Sequence, residues 1–160
     1  MLNILKSSYF AATKAPATKA ELLALFFLVV LLIVIVIIYF IGLWKVFEKA
    51  GRKGWLVFIP VYDLWVESEI GDNPGWWALL LIAANSLGNN FIKHSKHNPS
   101  LVVFGVISYL IYVVIYVLII AGIGKNFGKG FWFKVLLVFL PFIGFPILGF
   151  GTAKYKKVKK

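Results

Sequence analysis

Four of the chain's six carboxylates fall in one short stretch, GWLVFIPVYDLWVESEIGDNPGWW, from Gly54 to Trp77. Asp63 and Glu67 lie four apart, so on a helix they share a face, and two close carboxylates can trade a proton. Paired acids of this kind serve hydrolases and proton-coupled carriers. Glu69 and Asp72 follow, and Trp55, Pro60, Tyr62, Trp76 and Trp77 surround the acids with aromatic and turn-forming residues. A plainer reading competes. Lys45, Lys49, Arg52 and Lys53 stand just upstream, four bases against five acids over residues 45–75, so the acids neutralise a basic run. An interfacial helix with a charged face and an aromatic face accommodates both, and GDNPG is a turn that returns the chain towards Trp76. The residues favour this plainer reading.

Other candidate chemistry is thinner. HSKH offers His94 and His97 three apart, but a metal site needs further ligands and no Cys or acid lies within twenty residues. GIGKNFGKG resembles a phosphate loop yet has five residues between Gly122 and Gly128, and Lys129 is followed by glycine where Ser or Thr is needed. It reads as a flexible turn. No nucleophile–base pair stands out among Ser68, Ser86, Ser95, Ser100 and Ser108, and the chain has no cysteine, which removes disulfides, thiolate chemistry and Cys-ligated zinc. No catalytic residue, metal or cofactor is expected, and signal-peptide processing is not expected either.

The elements that must position these residues are apolar. Of the 160 residues 61% are hydrophobic and 14% charged, against roughly half and a quarter in soluble domains. A globule of this size cannot hide that much apolar surface, so lipid must solvate part of it. The expected fold is an all-α integral membrane protein with four transmembrane helices and an amphipathic interfacial segment. Spans are expected at 22–44, 76–92, 101–123 and 133–150, with the interfacial loop at 45–75. The 22–44 and 101–123 runs are charge-free and at 1.5 Å per residue cover roughly 35 Å. Tyr109, Tyr112 and Tyr116 share one face of the third span and read as a packing stripe. The last segment carries Lys134, Pro141 and Pro146, and a kinked spanning helix is expected there, with a hairpin as the alternative.

A basic arm, 1–20, and a polybasic tail, 152–160, flank a single membrane domain, 21–151. The net charge is +11. Lysines beside a membrane meet anionic headgroups at about 1 kcal/mol each, so Lys154, Lys156, Lys157, Lys159 and Lys160 are expected to bind lipid and not nucleic acid. A membrane-protein partner or a second copy of the chain is the other expected contact. With four spans, both termini fall on one side, and ten basic residues against seven make that side cytoplasmic in the cell membrane.

WKVFEKAG (Trp44–Gly51), GWLVFIPVYD (Gly54–Asp63), GWW (Gly75–Trp77), FGKG (Phe127–Gly130) and LPFIGFPILGFG (Leu140–Gly151) occur in that order. Together they resemble a family of small bacterial membrane proteins that share a domain of unknown function. Asp63 stands where that pattern has Asn, LIAAN lacks its second proline, and HSKHNPS is an insertion. Some members are labelled signal peptidase I. That activity needs a serine–lysine pair on a β-rich domain with Met two residues after the Ser; the only Met here is Met1 and loop 45–75 is too short to be that domain. The resemblance therefore implies a fold and a location, and no activity. Two functions follow from the residues. One is a non-enzymatic scaffold or partner-binding subunit. The other is a small carrier or channel-like protein using Asp63, Glu67 and Glu69 with the proline-bearing last segment.

Overall fold

The computed structural model describes residues 18–95 and 98–156. Most of the basic arm, Lys96, His97, Lys157, Lys159 and Lys160 lie outside the described residues. The described chain is helical: α1 (Lys19–Lys49), a 3₁₀ turn (Gly54–Phe58), α2 (Tyr62–Ile70), α3 (Trp77–His94), α4 (Ser100–Asn126), α5 (Phe131–Phe139) and α6 (Pro141–Phe150). Helices α1 and α4 are long and apolar enough to cross a membrane.

α1 starts on a reciprocal cap. The Thr18 N–H donates to the Glu21 carboxylate at 2.8 Å and the Glu21 N–H to the Thr18 hydroxyl at 3.3 Å, which satisfies two donors that the first turn leaves unpaired. The chain divides into two compact units, Met1–Val36 and Ile37–Lys160. In the first, residues 19–36 of α1 are exposed along the whole helix. A continuous apolar surface of that length requires an apolar surrounding.

In the second unit the core gathers Leu43, Val46 and Phe47 of α1, Ile70 of α2, Ile119 and Ile123 of α4, and Phe145 and Leu148 of α6. α1 and α4 end alike. Gly51 and Gly128 both have positive φ, and the N–H groups that follow reach back to carbonyls of the last turn, Arg52 to Phe47 and Lys129 to Gly124, each at 2.9 Å. α3 runs antiparallel to α4: the Tyr109 hydroxyl donates to Asn89 Oδ1, and Phe91 packs on Phe104.

Two expectations are corrected. First, residues 133–150 do not form one kinked span. α5 and α6 have nine and ten residues, roughly 14 and 15 Å, and they break at Leu140, where φ is −130° and ψ 61°. A Cβ on Gly144 would lie 3.1 Å from Leu137 Cα. In a continuous helix residues seven apart are about 10 Å apart along the axis, so the chain has folded back. Pro141 can supply no N–H and sits at the first helical position, where none is needed. α5 begins against α4, with Lys134 and Leu137 against Gly124. α6 ends against α1, where Lys49 Nζ donates to the carbonyls of Leu148 at 2.8 Å and Gly151 at 2.6 Å. The tail then returns to the end of α4, its Lys156 N–H donating to the Asn126 carbonyl at 2.8 Å. It therefore shares the end occupied by loops 50–61 and 127–130, where the four-span arrangement had put it opposite them.

Second, the acids of 45–75 do not all lie at the surface. α1 continues through Lys49, and α2 buries Val66, Glu67, Ser68 and Ile70. Close backbone approach makes this burial feasible: any Cβ on Gly122 of α4 would collide with the Gly71 carbonyl at the end of α2.

A buried carboxylate pair on helix α2

The site begins with a strained entry. Val61, after Pro60, has φ 72° and ψ −48°, a region that a β-branched residue occupies at a cost of about 1–3 kcal/mol. This bend aims α2 into the core. The far end is held by the buried Asn126, whose amide donates to the Ile70 carbonyl at 2.8 Å, with the Tyr155 hydroxyl 3.5 Å from the same oxygen. Buried Ser68 returns its hydroxyl to the Leu64 carbonyl at 2.8 Å and so needs no partner from outside the helix.

The acids of the stretch divide into two groups. Glu69 is countered as the basic run suggests: Arg52 Nη2 lies 2.5 Å from one of its oxygens and Trp65 Nε1 donates to the other at 3.0 Å. Glu48 accepts from Trp44 Nε1 at 2.6 Å. Asp63 and Glu67 differ. Glu67 is 6% exposed, and Asp63 Oδ1 is buried without a hydrogen-bond partner. Lys49 is drawn away to the carbonyls of α6, Lys45 and Lys129 lie over the rings of Phe150 and Phe133, and Arg52 is committed to Glu69. The neutralisation expected of the upstream bases thus reaches Glu69 and stops there.

Two tyrosines face the pair from other helices. Tyr39 of α1 lies within electrostatic range of both carboxylates and Tyr116 of α4 within range of Glu67. Tyr39 also packs on Phe142 and Phe145 of α6, with ring centroids 4.9 and 6.0 Å apart, so one side chain connects the pair to the last hairpin. Burial pushes the Asp63 carboxyl up to about 7, and it raises Glu67 as well, with the Asp63 charge adding to the effect. Both carboxyls therefore hold their protons to higher pH than free ones do.

The remaining candidates are spread around this core. Trp55, Tyr62 and Trp76 are about half exposed, Pro60 is exposed, and Trp77 is half-buried against the core. Lys129 is engaged by Phe133, Pro141 opens α6, and Pro146 is buried inside it, where a Cβ on Gly42 would lie 2.6 Å from its Cα. Lys154 and Lys156 are exposed at the end of α4. Asp63, Glu67 and Glu69 share one helix but not one environment. Sequence reasoning missed Tyr39, Ser68 and Asn126. The first reads from the sequence as an interfacial aromatic at the end of a charge-free run; Ser68 bonds within its own helix, and Asn126 bonds to the distant Ile70 carbonyl.

A model of a protein family of unknown function, DUF5684, matches residues 55–158. The chain belongs to this family. The match takes in α2 with its carboxylates, the α3–α4 pair, the α5–α6 hairpin and most of the tail, so the buried pair lies inside the DUF5684 region. No curated protein and no solved structure matches the chain.

Proposed function

We propose that the chain is a multi-pass protein of the cytoplasmic membrane that binds and releases protons on the Asp63–Glu67 pair, in the manner of a small proton-coupled carrier. The observation that carries this reading is a buried Glu67 beside an Asp63 oxygen with no partner. A scaffold gains no stability from an uncompensated buried carboxylate, since an isolated ionised group in an apolar setting costs several kcal/mol. A protein that uses a proton has reason to keep one. One proton on either carboxylate leaves the pair a single negative charge; a second proton removes it. The Tyr39 contact with Phe142 and Phe145 gives the α5–α6 hairpin a means of responding to that change. No covalent step is needed, and the reading is non-enzymatic.

Three features support a membrane path to the pair. Tyr112, Tyr116 and Asn85 line a pocket of about 160 Å³. Asn89 Nδ2 donates to Asn85 Oδ1 at 3.4 Å, and Tyr109 donates to Asn89. Polar groups of α3 and α4 thus follow one another from this pocket, which α2 lines with Leu64. In this reading α1, α3 and α4 cross, α5–α6 re-enters, and three crossings put the two termini on opposite faces. Lys45, Lys49, Arg52, Lys53, Lys125, Lys129 and the tail lysines make the tail face cytoplasmic. A single cysteine in the tail should resist an impermeant thiol reagent in intact cells, and one in the arm should react; the reverse pattern, or matching behaviour, refutes the arrangement.

The proton reading is tested by infrared titration of the detergent-solubilised chain. A protonated carboxyl band should persist to neutral pH and shrink in Glu67→Gln and Asp63→Asn. A chain with no such band above pH 5 has ordinary carboxylates, and the reading fails. A second reading draws on the exposure of Asn85, Ser86, Asn89 and Asn90 on α3. Polar side chains on a lipid face are costly, which favours a partner-binding subunit whose partner covers that face.

A further inference from the structure

A second site lies away from the carboxylates, at the end of α4, and owes nothing to the proton reading. The turn on Gly128 and the returning tail together cover the helix's terminal carbonyls: Gly128 N–H donates to Lys125, Lys129 N–H to Gly124 and Lys156 N–H to Asn126. These N–H groups offset the negative end of the helix, which would otherwise repel an anion. The tail is not a loose polybasic string here. The Tyr155 ring meets Phe127 edge-on at 5.4 Å, and Ala153 and Tyr155 both pack against the core. Residues 153 and 155 face inward and 154 and 156 outward, the alternation of an extended segment. Lys154 and Lys156 are thereby brought to the same side as Lys125, around a pocket of about 420 Å³ completed by Asn126, Phe127 and Gly128. No acid stands among the lining residues. Just beyond the turn, Phe131 and Trp132 are the most exposed aromatics of the described chain except Phe139, at 71% and 82%. That places apolar rings suited to the acyl boundary a few residues from a pocket lined by three lysines.

We propose that this pocket is a phosphate site that takes the headgroup of an anionic phospholipid, with Lys125, Lys154 and Lys156 as its cationic contacts. Lysine serves as a point charge towards phosphate, and three such charges around one cavity distinguish a docked headgroup from a diffuse counter-ion cloud over the tail.

The test is thermal stability of the full chain in mild non-ionic detergent, titrated with short-chain phosphatidic acid. Short-chain phosphatidylcholine and inorganic phosphate form the comparison arms. Phosphatidic acid should raise the melting temperature saturably. Lys125→Gln, Lys154→Gln and Lys156→Gln should each weaken that binding about five-fold, with Lys156→Arg retaining it. The triple change Lys157→Gln, Lys159→Gln, Lys160→Gln should weaken it less than any one of the three. Circular dichroism checks that each variant keeps its helix content, which exposed substitutions should not alter. An equal shift with phosphatidylcholine, or a distal triple variant weaker than Lys125→Gln, overturns the site. An equal shift with inorganic phosphate alone overturns the lipid as its occupant.

Discussion

Raising the pH should weaken this fold through Asp63 and Glu67, the reverse of what ion-paired carboxylates do. The unfolded Asp63 loses its proton near 3.8, and burial raises the folded value to about 7. Between those values the folded chain holds a proton that the unfolded chain has released. The stability associated with it is full below about pH 4 and is lost as pH rises towards 7. About three pH units at 1.36 kcal/mol each put the loss on the order of 4 kcal/mol. Glu67 is shifted in the same direction by its own burial and by Asp63. For a chain of this length a kcal/mol moves the melting temperature by roughly 2–4 °C, so the parent should melt on the order of 10 °C lower at pH 8 than at pH 4.5. Circular dichroism melts in one detergent at constant salt would measure this. Asp63→Asn and Glu67→Gln should flatten the profile, and the double variant should be the more stable protein at pH 8, because a neutral amide replaces a charge held in an apolar setting. Taking the difference from the parent isolates the contribution of the substituted carboxyl. A parent that stabilises or stays level as pH rises, or variants that follow its profile, would refute the reasoning.

Two further substitutions probe the packing that buries the pair. Val61→Gly should raise the melting temperature at pH 5 by the equivalent of about 1 kcal/mol, since glycine tolerates the positive φ at the entry of α2 and recovers part of the strain. A lower melting temperature would mean that the valine side chain contributes more than its backbone costs. Gly122→Ala should do more damage than Gly88→Ala on the neighbouring helix. Its Cβ would drive into the Gly71 carbonyl, whereas at Gly88 the nearest atoms are the movable ring of Tyr109 at 3.2 Å. Detergent-solubilised yield and melting temperature compare the two, and equal behaviour would mean that α2 and α4 separate easily.

Charge-free runs and turn residues were enough to determine the helical character of the described residues and the two strongest apolar helices, because hydropathy and local propensity act over neighbouring residues. Asp63 and Glu67 were legible as a pair for the same reason: four residues apart is one helical turn. Their environment was not legible. Whether upstream bases neutralise an acid depends on where those side chains go, and Lys49 goes to carbonyls of Leu148 and Gly151, about a hundred residues distant in sequence. Two prolines five apart suggested a kinked span before a hairpin; the approach of Gly144 to Leu137, a contact between two short helices, decides for the hairpin. That fold-back brings the tail to the end of α4. Tertiary packing also turned α2 inward, because Gly71 and Gly122 let two backbones meet and left a carboxylate where the residue pattern had suggested a wet surface. Burial depends on all the chains of contact around a group, and no window of sequence contains them.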